Sequence, residues 1–275
     1  MIVCLNGKFI RDKDAKISVF DHGFLYGDGV FDTIAAVNGQ IFWLKDHIDR
    51  LLSGCRKIHL KIPWSKRELL KLTEKTFRKN KQKNGRIRIA ISRGENGIPI
   101  YSSDNCKPNL VIFSSPLKFL DKKIYKKGIT LKTTKDLRFL PQVKNLNFLP
   151  SVMAFLDAKE SGYDDSLFVK KDRTVLEGTT FNIFAVKGKK NKTPAREILL
   201  GITAKKVTQL AKGLGFSVLE GKLTLKELKK ADEIFITGTT KKIVPVIQIG
   251  KRKIGDGKAG NATKKLMEEF SKLYF

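Results

Sequence analysis

Lys144 and Glu177, about thirty residues apart, are the two side chains around which a reaction could be built. Lys144 stands in a Leu- and Phe-rich setting, ahead of Phe148, Val152, Phe155 and Leu156, whose spacing predicts a helix. An amine that is partly neutral near pH 7 can act as nucleophile and as proton carrier. Glu177 is followed by Gly178, two threonines, and then Phe181, Ile183, Phe184 and Val186. Those residues read as a buried strand beginning at a glycine turn, so a carboxylate is placed at the mouth of a core strand. Arg50 lies between apolar positions of a predicted helix, and a guanidinium fork suits bidentate pairing with oxygens. Gly201 precedes a helix start at Ile202 and Thr203, where free N–H groups and the positive dipole end suit a phosphate.

The elements that must position these groups can be read in order. Residues 1–10 and 16–20 read as short strands around an Asn6-Gly7 turn, and Asn38-Gly39 marks a second hairpin. A helix is predicted over 44–58 and a Lys-rich amphipathic one over 65–82. Strands follow at 87–91 and 110–114, the first leading into a loop from Glu95 to Lys107. The stretch 117–128 is basic and ends in glycine, which reads as a linker between a first domain, 1–116, and a second, 129–275. In the second, strands are expected at 129–133, 166–169 and 180–186, an exposed loop at 187–197, and a strand and loop at 231–240. The class expected is α+β or α/β in two domains.

The segments around these residues resemble the class IV aminotransferases, the fold-type IV pyridoxal phosphate (PLP) enzymes that include branched-chain and D-amino acid aminotransferases and aminodeoxychorismate lyases. The likeness is carried by Lys144 with Leu146-Asn147, and by Glu177-Gly178-Thr179-Thr180-Phe181-Asn182-Ile183-Phe184. Asp21 to Thr33, His47 with Arg50-Leu51, Gly201-Ile202-Thr203 and Gly238-Thr239-Thr240 extend it over nearly the whole chain. It implies a two-domain fold of the D-amino acid aminotransferase type, with PLP bound covalently by Lys144 and the ring nitrogen paired to Glu177. Arg50, Ile202, Thr203 and Thr239 would hold the phosphate. Tyr26 and Phe31 would line the substrate pocket, with Arg88 and Thr240 on its carboxylate side. The Arg-x-His of D-specific members is not found in the loop 95–107, and Arg86-Ile87-Arg88 matches the arginine but not the tyrosine of the branched-chain Tyr-x-Arg. Phe148 replaces a tyrosine that many branched-chain members carry. The Gly-Thr-Thr form favours transamination over the lyase reaction. A branched-chain amino acid and 2-oxoglutarate are therefore the expected substrates; D-amino acids and the lyase reaction are the alternatives. The resemblance also implies a homodimer.

Bulk properties narrow the classes further. The 275 residues suit two domains, and no apolar run reaches the length of a membrane span. With no targeting signal visible, and three scattered cysteines that make a poor disulfide framework, a cytoplasmic protein is expected. Neither the cysteines nor His22, His47 and His59 show metal-ligand spacing. A net charge of +28 favours polyanions, but the lysines are spread along the chain without a nucleic-acid-binding motif, so a nucleic-acid partner is not expected unless on an inactive scaffold. Gly255-Asp256-Gly257-Lys258-Ala259-Gly260 fits GxGxxG, yet too few residues follow it for a dinucleotide fold.

Overall fold

A computed structural model describes residues 1–95 and 106–274. Contacts group the chain into two units, Met1–Lys118 with Val143–Phe148, and Phe119–Gln142 with Leu149–Phe275.

The first unit is built on a six-stranded antiparallel sheet. Its strands are β1 (Ile2–Leu5), β2 (Lys8–Arg11), β3 (Gly29–Val37), β4 (Gln40–Ile41), β5 (Gly85–Glu95) and β6 (Lys107–Pro116), in the order β2-β1-β6-β5-β3-β4. Helices α2 (Leu44–Lys57) and α3 (Lys66–Lys79) pack on one face. The reason is the period-two pattern of β5, which sends Ile87, Ile89 and Ile91 into the core with Ile48, Leu51 and Leu69 and leaves Arg86 and Arg88 on the other face. Residues 16–20, expected as a strand, are turn and coil. They lead into α1 (His22–Tyr26), a single turn capped by the Asp21 carboxylate accepting from Gly23 N–H. It closes on Gly27, whose φ of 68° suits a glycine.

The expected boundary at 117–128 also needs amending. Leu117 and Lys118 group with the first unit, and α4 (Lys122–Lys127) occupies the rest of the stretch. The segment carrying Lys144 returns to the first unit. Phe31 N–H donates to Lys144 C=O, Leu146 N–H donates to Gly29 C=O, and Asn145 bridges Val30. These bonds use the half of β3 that β4 does not cover.

The second unit holds a ten-stranded mixed sheet. Its strands are β7 (Ile129–Thr134), β8 (Asp165–Val169), β9 (Thr174–Gly178), β10 (Asn182–Lys187), β11 (Lys190–Thr193), β12 (Ser217–Glu220), β13 (Leu223–Thr224), β14 (Glu233–Gly238), β15 (Lys242–Ile249) and β16 (Arg252–Lys253). They run β12-β11-β10-β14-β15-β7-β8-β9-β13, with β16 paired to β15. Helices α5 (Leu149–Glu160), α6 (Ile202–Gly213), α7 (Leu225–Lys229) and α8 (Asn261–Lys272) complete it. Ile183, Ile234, Ile236 and Val244 centre the core. Strand β11 falls inside the expected loop 187–197, because Asn191 and Thr193 are buried between lysines that reach solvent. In α5 the helix is as expected, but the small residues Ser151, Ala154 and Ala158 are the buried ones, while Leu149, Val152, Met153, Phe155 and Leu156 are exposed.

No helix among the described residues is long and apolar enough to cross a membrane. No cluster of potential metal ligands occurs among them either.

Candidate active site

In the first unit, strand alternation sorts the candidate residues onto two faces. Phe31 and Thr33 point to the side of β3 that carries Arg88 across the ladder, since Thr33 and Arg88 are register partners. The Arg88 guanidinium lies 3.5 Å from the centre of the Phe31 ring and donates to Thr33 Oγ1 at 3.0 Å. Lys144 Nζ lies 4.6 Å from the same ring centre, and Phe148 meets the ring edge-on at 5.9 Å. A buried aromatic ring thus carries two cations beside it, an arrangement favoured by the ring quadrupole. Burial, and behind it the charge of Arg86, pushes Arg88 down to about 10, which leaves it cationic at neutral pH. Tyr26 ends α1 with its ring edge-on to His22, and it is 47% exposed.

Asp32, between Phe31 and Thr33, points the other way, toward α2. Its carboxylate accepts from Arg50 Nε at 2.9 Å and Nη2 at 2.7 Å, and contacts His47 Nδ1 at 3.0 Å. Burial would raise the Asp32 carboxyl, but the charges of Arg50 and His47 outweigh it and hold it well below the usual carboxylate range. The Arg50 fork is therefore fixed from one side by a fully buried anion. The sequence singles out Arg50 together with His47 but not Asp32, the residue that holds the fork.

In the second unit, Glu177 sits at the end of β9 and is buried. Arg138 Nη1 donates to its Oε1, and the Leu199 N–H donates to its Oε2 at 3.1 Å. Arg138 is a residue that sequence reasoning missed; nothing in its local pattern marks it. From Glu177 the hydrogen bonds continue toward α6. Asn182 Nδ2 donates to Leu199 C=O at 2.8 Å. A methyl group at Gly201 would come within 2.0 Å of Asn182 Oδ1, so any larger residue there must displace the Asn182 side chain. Gly201 is the N-cap of α6 and offers no side-chain cap, and the helix ladder begins with Lys205 N–H to Gly201 C=O. The N–H groups of Ile202 and Thr203 precede that ladder and have no intrahelical acceptor.

Thr239 and Thr240 lie in the turn between β14 and β15 and are partly exposed. Just before them, the Thr237 hydroxyl is buried with no hydrogen-bond partner among the described residues. The loop from Glu95 to Lys107, where Arg-x-His was not found, has residues 96–105 outside the described ones. At the GxGxxG stretch, the Glu233 carboxylate accepts from Ala262 N–H at 3.0 Å and Thr263 N–H at 2.7 Å. That helix start already holds an anion, which is the physical reason it is no dinucleotide cradle.

The first unit thus presents an amine beside an aromatic wall, and the second a buried carboxylate and a helix start without a side-chain cap. Comparison with known proteins gives the family. The amino-transferase class IV family model matches residues 29–249. A Methanocaldococcus jannaschii protein provisionally named a branched-chain-amino-acid aminotransferase is 41% identical over 280 residues, 99% of this chain and 96% of that one. The D-alanine aminotransferase of Staphylococcus epidermidis is 30% identical over 275 residues, 98% of this chain and 96% of that one. Among solved structures, the T.th. branched-chain amino acid aminotransferase with pyridoxamine 5'-phosphate matches at a TM-score of 0.94 and 28% identity, covering 99% of this chain and 93% of that one. The same enzyme complexed with N-(5'-phosphopyridoxyl)-L-glutamate matches at 0.93. A family match over most of the length, on a fold shared with these enzymes and with Lys144 and Glu177 inside the matched region, leads to one assignment: the chain belongs to the class IV aminotransferases.

Proposed function

We propose that the chain is a PLP-dependent branched-chain amino acid aminotransferase that uses 2-oxoglutarate as amino acceptor, working as a cytoplasmic homodimer. The observation that carries the reading is the placement of Lys144 and Arg88 on the buried ring of Phe31, with Phe148 beside it. An apolar wall suits an aliphatic side chain, and a fixed guanidinium suits a carboxylate. The M. jannaschii relative's name and the T.th. enzyme's complex with a pyridoxyl-L-glutamate support the substrate pair.

The donor set fits the cofactor. The N–H groups of Ile202 and Thr203, behind a glycine whose replacement would push on Asn182, suit the phosphate, and Thr239 and Arg50 would join them. Glu177, held as a buried carboxylate by Arg138 and Leu199 N–H, suits a protonated ring nitrogen. When bound, PLP supplies the electron sink that makes the hydrogen on the substrate Cα acidic. Lys144 holds the cofactor between turnovers and carries the proton to and from Cα. Asp32 keeps the Arg50 fork in place, and Tyr26, Phe31, Arg88 and Thr240 orient the substrate.

The exposed apolar face of α5 supports a homodimer, because a row of large apolar side chains at helical spacing is costly to leave in water. The test of the substrate is a rapid-mixing panel on the PLP-loaded protein. L-leucine, L-isoleucine or L-valine is expected to remove the visible cofactor band faster than D-alanine. A second reading, D-amino acid transfer, draws on the 30% relative, and a faster reaction with D-alanine would favour it. Reaction with aminodeoxychorismate alone, with pyruvate formed, would make the chain a lyase.

A further inference from the structure

Two turns of the second unit, 178–181 after Glu177 and 239–241 after Gly238, are joined by one side chain. Lys241 Nζ donates to Asp165 Oδ2 at 2.9 Å and to Thr180 Oγ1 at 2.7 Å, and it lies 4.9 Å from the centre of the Phe181 ring. Asp165 is buried, and its other oxygen accepts from Thr179 Oγ1 at 2.6 Å and Ser166 N–H at 2.8 Å. The ammonium therefore holds Thr180 directly and Thr179 through Asp165. The backbones approach as closely as the side chains imply. A methyl group at Gly238 would stand 3.2 Å from Thr180 C=O, and one at Gly178 would collide with the Phe181 ring. Ladders anchor the ends of both turns, through Leu167–Gly178, Asn182–Thr237 and Gly238–Lys242. The residues between those ends, 179–181 and 239–241, are unpaired in the sheet, and these polar contacts and this packing join them to each other.

We infer that Lys241 is a positioning residue, which locks the Thr239–Thr240 turn against the Glu177–Thr180 turn so that both meet a bound phosphorylated cofactor and a substrate carboxylate in fixed register. For what the turns bind, this rests on the function proposed above; the lock itself is read from Lys241, Asp165 and Thr180 alone. An ammonium in a partly buried site with a carboxylate and a hydroxyl exceeds a surface ion pair in worth, because its partner is desolvated and left unpaired when it is removed. A lock of this kind acts on binding rather than on the proton transfer at Lys144. Its loss is thus expected in Kd and KM before kcat.

The experiment compares Lys241→Met, Lys241→Arg and Thr180→Val with the wild type. In the apo protein, Lys241→Met is expected to speed amide hydrogen exchange at least tenfold within 179–181 and 239–241, leaving β10 and β14 unchanged. PLP titration into the apo protein by fluorescence is expected to show about tenfold weaker binding for Lys241→Met. Lys241→Arg should recover most of it, and Thr180→Val should fall between. In the loaded enzyme, the amino acid KM is expected to rise several-fold with kcat within about twofold. Unchanged exchange in both turns, or a PLP affinity that tracks thermal stability alone and is not rescued by arginine, overturns the lock. If exchange responds but the wild type takes up no PLP, the lock stands, and the ligand assigned to the turns falls together with the proposed function.

Discussion

Arg138 and Glu177 form a buried ion pair whose partners come from a loop and a strand end, and under the proposed function the pair would set the charge available to a ring nitrogen. Glu177→Gln is expected to keep PLP bound and slow turnover by about 10²- to 10³-fold, because a neutral amide cannot hold the pyridinium proton. Arg138→Met should behave differently. Removing one partner of a buried pair costs about 3–5 kcal/mol, and a bound pyridinium would return part of that by supplying the missing positive charge. Urea unfolding with and without PLP reads it: the deficit should shrink when PLP is present, and an equal deficit in both would separate Glu177 from the ring. Lys144 gives the most direct check, since borohydride reduction of the PLP-loaded protein should fix the label on Lys144 and no other lysine. Lys144 and Glu177 were legible because each stands in a linear pattern with its own glycine, asparagine or apolar run. Arg138 was not, because an arginine in a basic loop looks the same whether it meets water or a carboxylate. The partner of Arg50 was hidden for the same reason: Asp32 reaches it from another element.

At the scale of elements, the sequence carried the periodic features and the two Asn-Gly hairpin turns well, and the short or reversed elements poorly. The Ile87–Ile89–Ile91 alternation fixes one face of β5 in the core, so Arg88 must share the other face with Phe31 and Thr33. Helices α2, α3, α5 and α6 followed from their spacing. What spacing could not tell is which side of α5 is buried, since the large apolar residues lie outward and alanine and serine pack inward. The one-turn α1 and the strand β11 are too short for a pattern to declare. The helix start at α6 yields a sharp expectation. Gly201→Ala keeps an allowed backbone, with φ at −70°, but pushes a methyl into Asn182 Oδ1. PLP affinity should fall about tenfold or more while kcat at saturation changes little; an unchanged Kd by fluorescence titration would mean that α6 does not hold the phosphate. The Asp32 cluster makes a pH statement. Its folded carboxyl is depressed, so its stabilisation is complete above the ordinary aspartate range and is lost as pH falls below it. Asp32→Asn should therefore destabilise the protein at pH 7 and flatten the acid side of its stability curve between about pH 5 and 2, measured by denaturant midpoints across that range.

The whole molecule combines a net charge of +28 with an exposed apolar helix face, and the two pull in opposite directions on self-association. Two copies of the same highly basic chain repel each other over distances set by the Debye length, about 10 Å at 0.1 M salt and about 30 Å at 0.01 M. Burial of Leu149, Val152, Met153, Phe155 and Leu156 against a second copy would be worth about 25 cal/mol per Å² of apolar area and is not weakened by salt. If the apolar face drives the dimer, raising ionic strength removes the repulsion and leaves the attraction, so the dimer tightens with salt. If ion pairs across the interface drive it, the dimer loosens with salt instead. Sedimentation of the purified protein between about 20 and 300 mM salt is therefore expected to show a dissociation constant that falls by tenfold or more. Met153→Glu with Leu156→Glu should leave a folded monomer across the range, the glutamates lowering each copy's net charge and so ruling out added repulsion as the cause. A dimer that weakens with salt, or one that survives both glutamates, would move the interface off α5.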